Sequence, residues 1–429
     1  MGRRMKHTEI GDIPADWEIQ TFEETFRVLS NNTLSRENLN NRGGAVRNIH
    51  YGDILTKFSE VLDCNEDDIP YLNDLSLITA STQLLQDGDV VIADTAEDET
   101  VGKTVEIQNL ENGKLIAGLH TIPCRVKKGK FAPGWLGYYM NSHIYHDQII
   151  PFVTGIKVSS ISKSAIAETI ILIPPIEEQE RIIETLTQIE KMIKQEVVIV
   201  NKIKSFKSGC LTKMFPREDN KSPEMRFTEY NGAWEQRELG EVLSFLKDGT
   251  HGTHPNSDDG VYLLSAKNIK NGEIIIDETS DRKISKEEFN VIHSTFKLQK
   301  NDVLLTIVGS IGEVAILKNP DIMTFQRSVA FLRPKEGLIS SFLKTEIESD
   351  IFQKELSDRK SQSAQPGVYL GELGKIPFAV PIIEEQQQIG AYFKNLDNLI
   401  TLHQRKCDKY ISIKSGLISM LISLKQQTH

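Results

Sequence analysis

The sequence predicts an α+β protein in which two globular α/β domains are separated by two long helices. Those helices are expected to pack as an antiparallel coiled coil about a pseudo-twofold axis. Three observations predict this. The phrase IPPIEEQERI at 173–182 returns as VPIIEEQQQI at 380–389, 207 positions later. Each phrase opens a run of apolar residues at alternating steps of four and three. A globular segment of similar length precedes each run.

At the 207-residue offset the match continues well past the phrase. Glu177, Glu178 and Gln179 fall on Glu384, Glu385 and Gln386, and Lys207-Ser208-Gly209 falls on Lys414-Ser415-Gly416. A gapless match over about 40 residues implies a rigid element, because loops gain and lose residues readily. Pro174 and Pro175 keep the chain extended before the first run, and the glutamates behind them suit the positive end of a helix dipole. The first helix then places Ile182, Leu186, Ile189, Ile193, Glu196, Val200, Ile203, Lys207, Cys210 and Met214 on one seam. The second places Ile389, Phe393, Leu396, Ile400, His403, Cys407, Tyr410, Lys414, Leu417 and Leu421 on the same rungs. This is a heptad pattern. At ~1.5 Å per residue each helix spans roughly 55 Å, an apolar stripe too long to bury against itself. The two copies therefore pack on each other. In an antiparallel pair the middle rung brings Glu196 near His403, either as two solvated edge residues or as a polar pair that sets register. Gly209 and Gly416 each cost a helix ~1 kcal/mol relative to alanine, and are expected to mark close helix–helix approach.

The resulting organisation is a first globular domain over 1–172, a first long helix over 173–216, a linker and second globular domain over 217–379, and a second long helix over 380–425. FPREDNKSPEMRF at 215–227 has the proline and charge content of a linker. Within the globular segments LQDGDVVI at 85–92 matches LQKNDVLL at 298–305, which sets Asp89 opposite Asp302 in strand-like runs. The offset there drifts between about 207 and 217, so the domains share a scaffold and differ in their loops.

Bulk properties narrow the function. The 429 residues are 39% hydrophobic and 26% charged, a soluble globular balance. No apolar run is long enough for a membrane span, and MGRRMKHTEIGDIP lacks the apolar core of a secretory signal. The four cysteines show neither CxxC nor Cys/His spacing, so a cytoplasmic protein with no metal site is expected. The net charge of −10 argues against a protein that wraps nucleic acid unaided. ETVGKT at 99–104 ends like a phosphate-binding loop, but the position of the required first glycine holds Glu97. The only PP dipeptide is Pro174-Pro175, flanked by isoleucines, so the motif that holds a flipped base in adenine methyltransferases is missing. His120, His143 and His146 lack HExxH spacing. Two unlike heads on a spacer longer than a turn of B-DNA, about 34 Å, suit a reader of an asymmetric, interrupted DNA sequence.

The paired helix phrases with the later KSG closely resemble the specificity subunits of type I restriction–modification systems. DGTHGTHPN with GVYLLSAKNIKNGEI (248–256, 260–274) and SNNTLSRENLN with NIHYGDILTKF (30–40, 48–58) are similar to openings of that family's target recognition domains. The resemblance covers nearly the whole chain and departs where the first domain has DTAEDETVGK in place of TIVGSIGE. It implies a non-catalytic subunit that reads a bipartite asymmetric target in double-stranded DNA. Two DNA methyltransferase subunits and further restriction–translocation subunits would assemble on it, and S-adenosylmethionine, ATP and Mg²⁺ would belong to those partners. Candidate DNA contacts are polar and basic residues in turn-like stretches, since Arg and Lys can bridge guanine edges and Asn or Gln adenine edges. In the first domain these are Asn32, Ser35, Arg36, Arg42, Lys57 and Lys157. In the second they are Thr250, His251, Thr253, Lys267 and Asn268, with Gln362, Ser363 and Gln365 before the helix. The helices are nearly neutral, with seven Lys/Arg against six Glu over 177–216, so their outer faces suit protein partners rather than phosphates. Two other classes stay open: the specificity half of a split methyltransferase or nuclease, and a coiled-coil adaptor whose heads bind proteins.

Overall fold

The computed structural model describes residues 3–79, 82–155, 157–217, 220–361 and 366–422. Packing divides the chain into two units, Met1–Gln195 with Cys407–His429, and Glu196–Lys406. Each unit therefore holds one head together with segments of both long helices. The physical reason is that each half-helix buries its apolar stripe in its own unit, against a head as well as against the other helix.

The two heads repeat one plan. In the first, a five-stranded sheet runs in the order Phe26–Val28, Thr121–Val126, Val90–Ala93, Thr104–Gln108, Val61–Asp63. In the second, a four-stranded sheet runs Leu243–Asp248, Val329–Pro334, Val303–Thr306, Val314–Ile316. The central strands VVIA and VLLT are buried throughout, as near-continuous apolar runs require when both faces are covered. A smaller sheet lies beside each. Arg47–Ile49 pairs in parallel with Leu115–Ala117, and Val261–Leu264 pairs in parallel with Met323–Phe325. Asp89 and Asp302 take the same role at the start of their strands. Each accepts a backbone N–H three residues upstream and holds an arginine from the neighbouring strand in a two-pronged ion pair, Arg125 at 2.6–2.7 Å and Arg333 at 2.7–2.8 Å.

The long helices cover Ile176–Lys213 and Ile383–Ile422. Before each, a short strand pairs with a strand near the start of its head, Ile170–Ile173 with Glu18–Thr21 and Pro377–Val380 with Glu235–Glu238. The proline phrase then turns the chain out of that strand. Gln179 and Gln386, both buried, explain why the phrase is written twice. The Gln179 Oε1 accepts from the Ala132 N–H at 2.8 Å while its Nε2 donates to the Pro174 and Lys130 carbonyls at 2.8 and 3.1 Å. Gln386 repeats this with the Ile339 N–H at 3.0 Å and the Pro381 and Gly337 carbonyls at 2.9 and 3.0 Å. The glutamate before each glutamine takes an arginine from the segment ahead of the head, Glu178 with Arg3 and Glu385 with Arg226.

The seam residues are buried or half-buried from Ile182 to Met214 and from Ile389 to Leu417; the side chain of Leu421 lies outside the described residues. In the first unit Ile182 and Leu186 share a core with Leu417 and Ile418. In the second Cys210 meets Tyr392 at 3.6 Å, Lys207 meets Asp397 at 2.7 Å and Glu196 bonds His403. Position numbers on one helix fall as those on the other rise, so the segments run antiparallel in both units. Glu196 and His403 form the polar pair rather than two solvated edges. The two glycines are a different matter. Gly209 and Gly416 are exposed, and a Cβ on either would meet nothing within 4 Å. Close approach is not their role, because each lies off the seam between the rungs of the helix's inner face.

Charges repeat along the seam as well. Lys207 bonds Asp397 and Glu348, each at 2.7 Å, and Lys414, 207 positions on, pairs with Glu60 and with Glu190 at 3.7 Å. Lys344 joins the first cluster from the second head, at 2.7 Å from Glu348 and 2.9 Å from Asp397. Burial alone would lower its ammonium, but the two carboxylates outweigh that and hold it above its ordinary value.

Two expected outcomes follow from this packing. Gly209→Ala adds a methyl into open space on an exposed helix face and should stabilise the chain by roughly 0.5–1 kcal/mol, read from urea midpoints. Glu346, in the helix Ser340–Ile347, is buried; its Oε1 accepts from the Ala379 N–H at 2.8 Å and its Oε2 finds no partner among the described residues. Burial pushes this carboxyl well above its ordinary 4.5. Folding must then hold a proton that the unfolded chain releases, a cost that is absent at low pH and appears above the unfolded value. Glu346→Gln should therefore gain stability over the parent at about pH 7 and lose that advantage near pH 4; an advantage equal at both would contradict the assignment.

Candidate nucleic-acid interface

In the second head, strand Leu243–Asp248 runs into the loop 249–257. Gly249 lies so close to the next segment that a Cβ would stand 2.2 Å from the Phe325 carbonyl oxygen and 2.4 Å from that of Gln326. That approach lets Thr250 bridge Gln326, with the Arg327 N–H donating to the Thr250 carbonyl at 3.0 Å. The loop is tied further by Arg282, whose guanidinium donates to the His254 carbonyl. His251 pairs with Asp248 at 2.7 Å, and Thr253 is exposed. Lys267 sits in the short 3₁₀ turn Ala266–Asn268 and reaches Asp281 at 2.7 Å, while the Ala266 N–H donates to Ser328 Oγ at 3.0 Å. Burial would raise the Asp281 carboxyl, but Lys267, the Asp277 N–H and Asn268 together hold it below its ordinary value. Thr250, His251, Thr253 and Lys267 thus lie on loops stitched together by hydrogen bonds, with the exposed Arg282 and Arg327 among them.

Asn268 does not belong to this surface. It is buried, its side chain caps the turn from Ser265, and its Nδ2 donates to the Ile275 carbonyl at 3.0 Å and to Asp281 at 2.7 Å. No donor is left to read a base. Gln362, Ser363 and Gln365 lie outside the described residues.

The first head divides its candidates in a similar way. Asn32 is spent internally, donating to Asn48 Oδ1 at 2.7 Å and the Ala117 carbonyl at 2.8 Å and accepting from the Leu34 N–H at 3.0 Å. Ser35 precedes the turn Arg36–Asn38, and its Oγ accepts from Asn38 Nδ2 at 3.2 Å. Arg36 is held by the buried Asp53 through two bonds of 2.6 and 2.8 Å. Lys57 pairs with Asp68 at 3.0 Å. Arg42 and Lys157 are exposed, Arg42 at an open cleft of about 640 Å³ shared with Asn40, Gly43, Gly44 and Asn73.

Arg327 and Arg282 are absent from the sequence-derived candidates. Arg327 stands in a three-residue link, Gln326-Arg327-Ser328, between the buried strands Met323–Phe325 and Val329–Pro334. A lone cation between two apolar runs is the signal that could have found it. Among the described residues no group of three or more His, Cys, Asp or Glu side chains could hold a metal ion, and no helix is long and apolar enough to cross a membrane.

Comparison with known proteins agrees with this architecture. The family model for the type I restriction modification DNA specificity domain matches twice, over residues 14–205 and 231–409. The chain is 22% identical to the putative type I restriction enzyme MjaX specificity subunit of Methanocaldococcus jannaschii, over 98% of this chain and 96% of that one. It is 26% identical to the type I restriction enzyme EcoBI specificity subunit of Escherichia coli, over 55% of this chain and 53% of that one. In fold it is similar to the crystal structure of a type I restriction–modification S subunit from M. genitalium, with a TM-score of 0.51 at 12% identity over 94% of this chain and 96% of that one. It is similar too to a chain from a structure of the type I R-M system that addresses complex assembly and conformational transition, with a TM-score of 0.55 at 15% identity over 95% and 98%. With two matching domains covering most of its length, the chain belongs to the type I restriction modification DNA specificity family.

Proposed function

We propose that each head reads one half of an interrupted DNA target while the helix pair serves as the docking frame for catalytic partners. The chain acts as the DNA-specificity subunit of a type I restriction–modification system. The finer assignment is that two methyltransferase subunits and further restriction–translocation subunits assemble on it, and that this chain performs no catalysis itself. S-adenosylmethionine, ATP and Mg²⁺ would be bound by those partners. The observation that carries the reading is the contrast between junction and loop. The glutamine and glutamate contacts at the start of both helices are the same in the two units. The loops at the candidate surfaces differ, with DGTHGTHPN at 248–256 in the second head and SNNTLSRENLN at 30–40 in the first. A common frame with unlike surfaces is what a reader of two different half-sites needs. The acidic net charge of −10 fits a division of labour in which the partners supply much of the phosphate contact.

Exchange of the second head tests this. Residues 239–376 form a cassette whose ends are joined by the Leu239 N–H donating to the Ile376 carbonyl at 2.9 Å. Replacing that cassette with its counterpart from another family member should change one half of the methylated sequence and leave the other half intact. Unchanged methylation sites would reject modular reading. Removing single exposed cations by Arg42→Ala, Lys157→Ala or Arg327→Ala should weaken binding on all sequences alike. Each should also lower the slope of log affinity against log salt by about 1 where the residue contacts a phosphate.

A further inference from the structure

His254 in the second head stands between a carboxylate and a hydroxyl. Its Nδ1 lies 2.6 Å from Glu288 Oε1 and its Nε2 lies 2.7 Å from Thr250 Oγ1. The imidazole is nearly buried, with its side chain 10% exposed. Glu288 is fixed in turn by the start of the helix Lys286–Ile292, where its N–H donates to Ser285 Oγ at 3.1 Å. A carboxylate only accepts, so the ring proton sits on Nδ1. In the tautomer with its single ring proton on Nδ1, Nε2 presents a lone pair and the Thr250 hydroxyl donates to it. The other acceptor within reach, the His251 carbonyl, is at 3.5 Å, the outer limit for a hydrogen bond.

The consequence concerns what Thr250 can still do. With its proton committed, Oγ1 has only lone pairs to offer. A phosphate oxygen is also an acceptor, so Thr250 in this state makes no backbone contact. It can take a hydrogen bond from a base amino group. In the major groove those are adenine N6 and cytosine N4, whereas guanine O6 and thymine O4 would set acceptor against acceptor. Thr250 is half-exposed and sits among His251, Thr253, Lys267 and Arg327 on the candidate surface.

We propose that Thr250 determines specificity at one position of the second half-site, where His254, oriented by Glu288, accepts its hydroxyl hydrogen bond so that it selects an amino base, adenine or cytosine, over a keto base. His254 and Glu288 are positioning residues in this arrangement. The inference rests on the reading that the second head contacts DNA, and its test separates the two. The full chain, assembled with type I methyltransferase subunits, is used to select from duplexes randomised over the second half-site. One position should favour adenine or cytosine on the contacted strand by about fivefold or more. Thr250→Val, close in shape but without a hydroxyl, should flatten that ratio towards one and leave every other position and the first half-site unchanged. Thr250→Ser should keep it. If Thr250→Val fails to assemble, Glu288→Gln carries the test: a carboxamide supports either ring tautomer, so the ratio should fall at the same position alone. A keto preference there, or a ratio unchanged in these variants while the second half-site is still selected, overturns the proposal. A complex that selects bases only in the first half-site overturns both the proposal and the reading beneath it.

Discussion

Two buried glutamines, Gln179 and Gln386, decide where each long helix leaves its head. Each accepts one loop N–H and donates to two carbonyls, filling a gap where a proline-terminated strand turns into a helix. An unsatisfied amide in that place would cost on the order of 1–3 kcal/mol per lost partner, so strand, loop and helix start are fixed together. The seam depends on this. A helix whose first turn were free to rotate would carry Ile182 and Leu186, or Ile389 and Phe393, out of the cores they complete.

From that constraint the rest of the architecture follows in sequence. The helix leaves at a set angle, its apolar stripe meets the antiparallel segment of the other helix, and both close the core of a head. Charged rungs then refine the register. Lys207 and Lys414 each find acids from the partner helix and from the nearby head, while Glu196 and His403 pair with each other across the seam. Such pairs add little net stability once desolvation is counted, but a slip by one rung would strand each of them without a partner. Heads built on a junction this strict can vary their loops without disturbing the frame.

How much of this was legible in the sequence depends on what each residue bonds to. The seam was legible because its period is written in residue type, and the strand match at Asp89 and Asp302 because an acid before an apolar run has one local use. The role of the glutamines was not legible, since they bind backbone carbonyls that carry no residue identity. Gly209 and Gly416 do not mark close approach, because they face open space one position from a rung, which the helix cost of glycine does not reveal. Among the candidate DNA contacts, Asn32 and Asn268 are engaged within their own heads for a shared reason. An amide in a turn can serve its own loop or the solvent, and only the fold shows which. Arg327 went unnoticed because its link, Gln326-Arg327-Ser328, is only three residues long between two apolar strands.

The first unit is assembled from both ends of the chain, since its core holds Ile182 and Leu186 together with Ile418. This has a consequence for biosynthesis. Globular units made first on the ribosome commonly finish folding first. Here one wall of the amino-terminal head's core, at Ile182 and Leu186, is closed by Ile418 of the second long helix, whereas the second unit draws only on residues up to 406. That wall is therefore completed only after the second long helix has been synthesised.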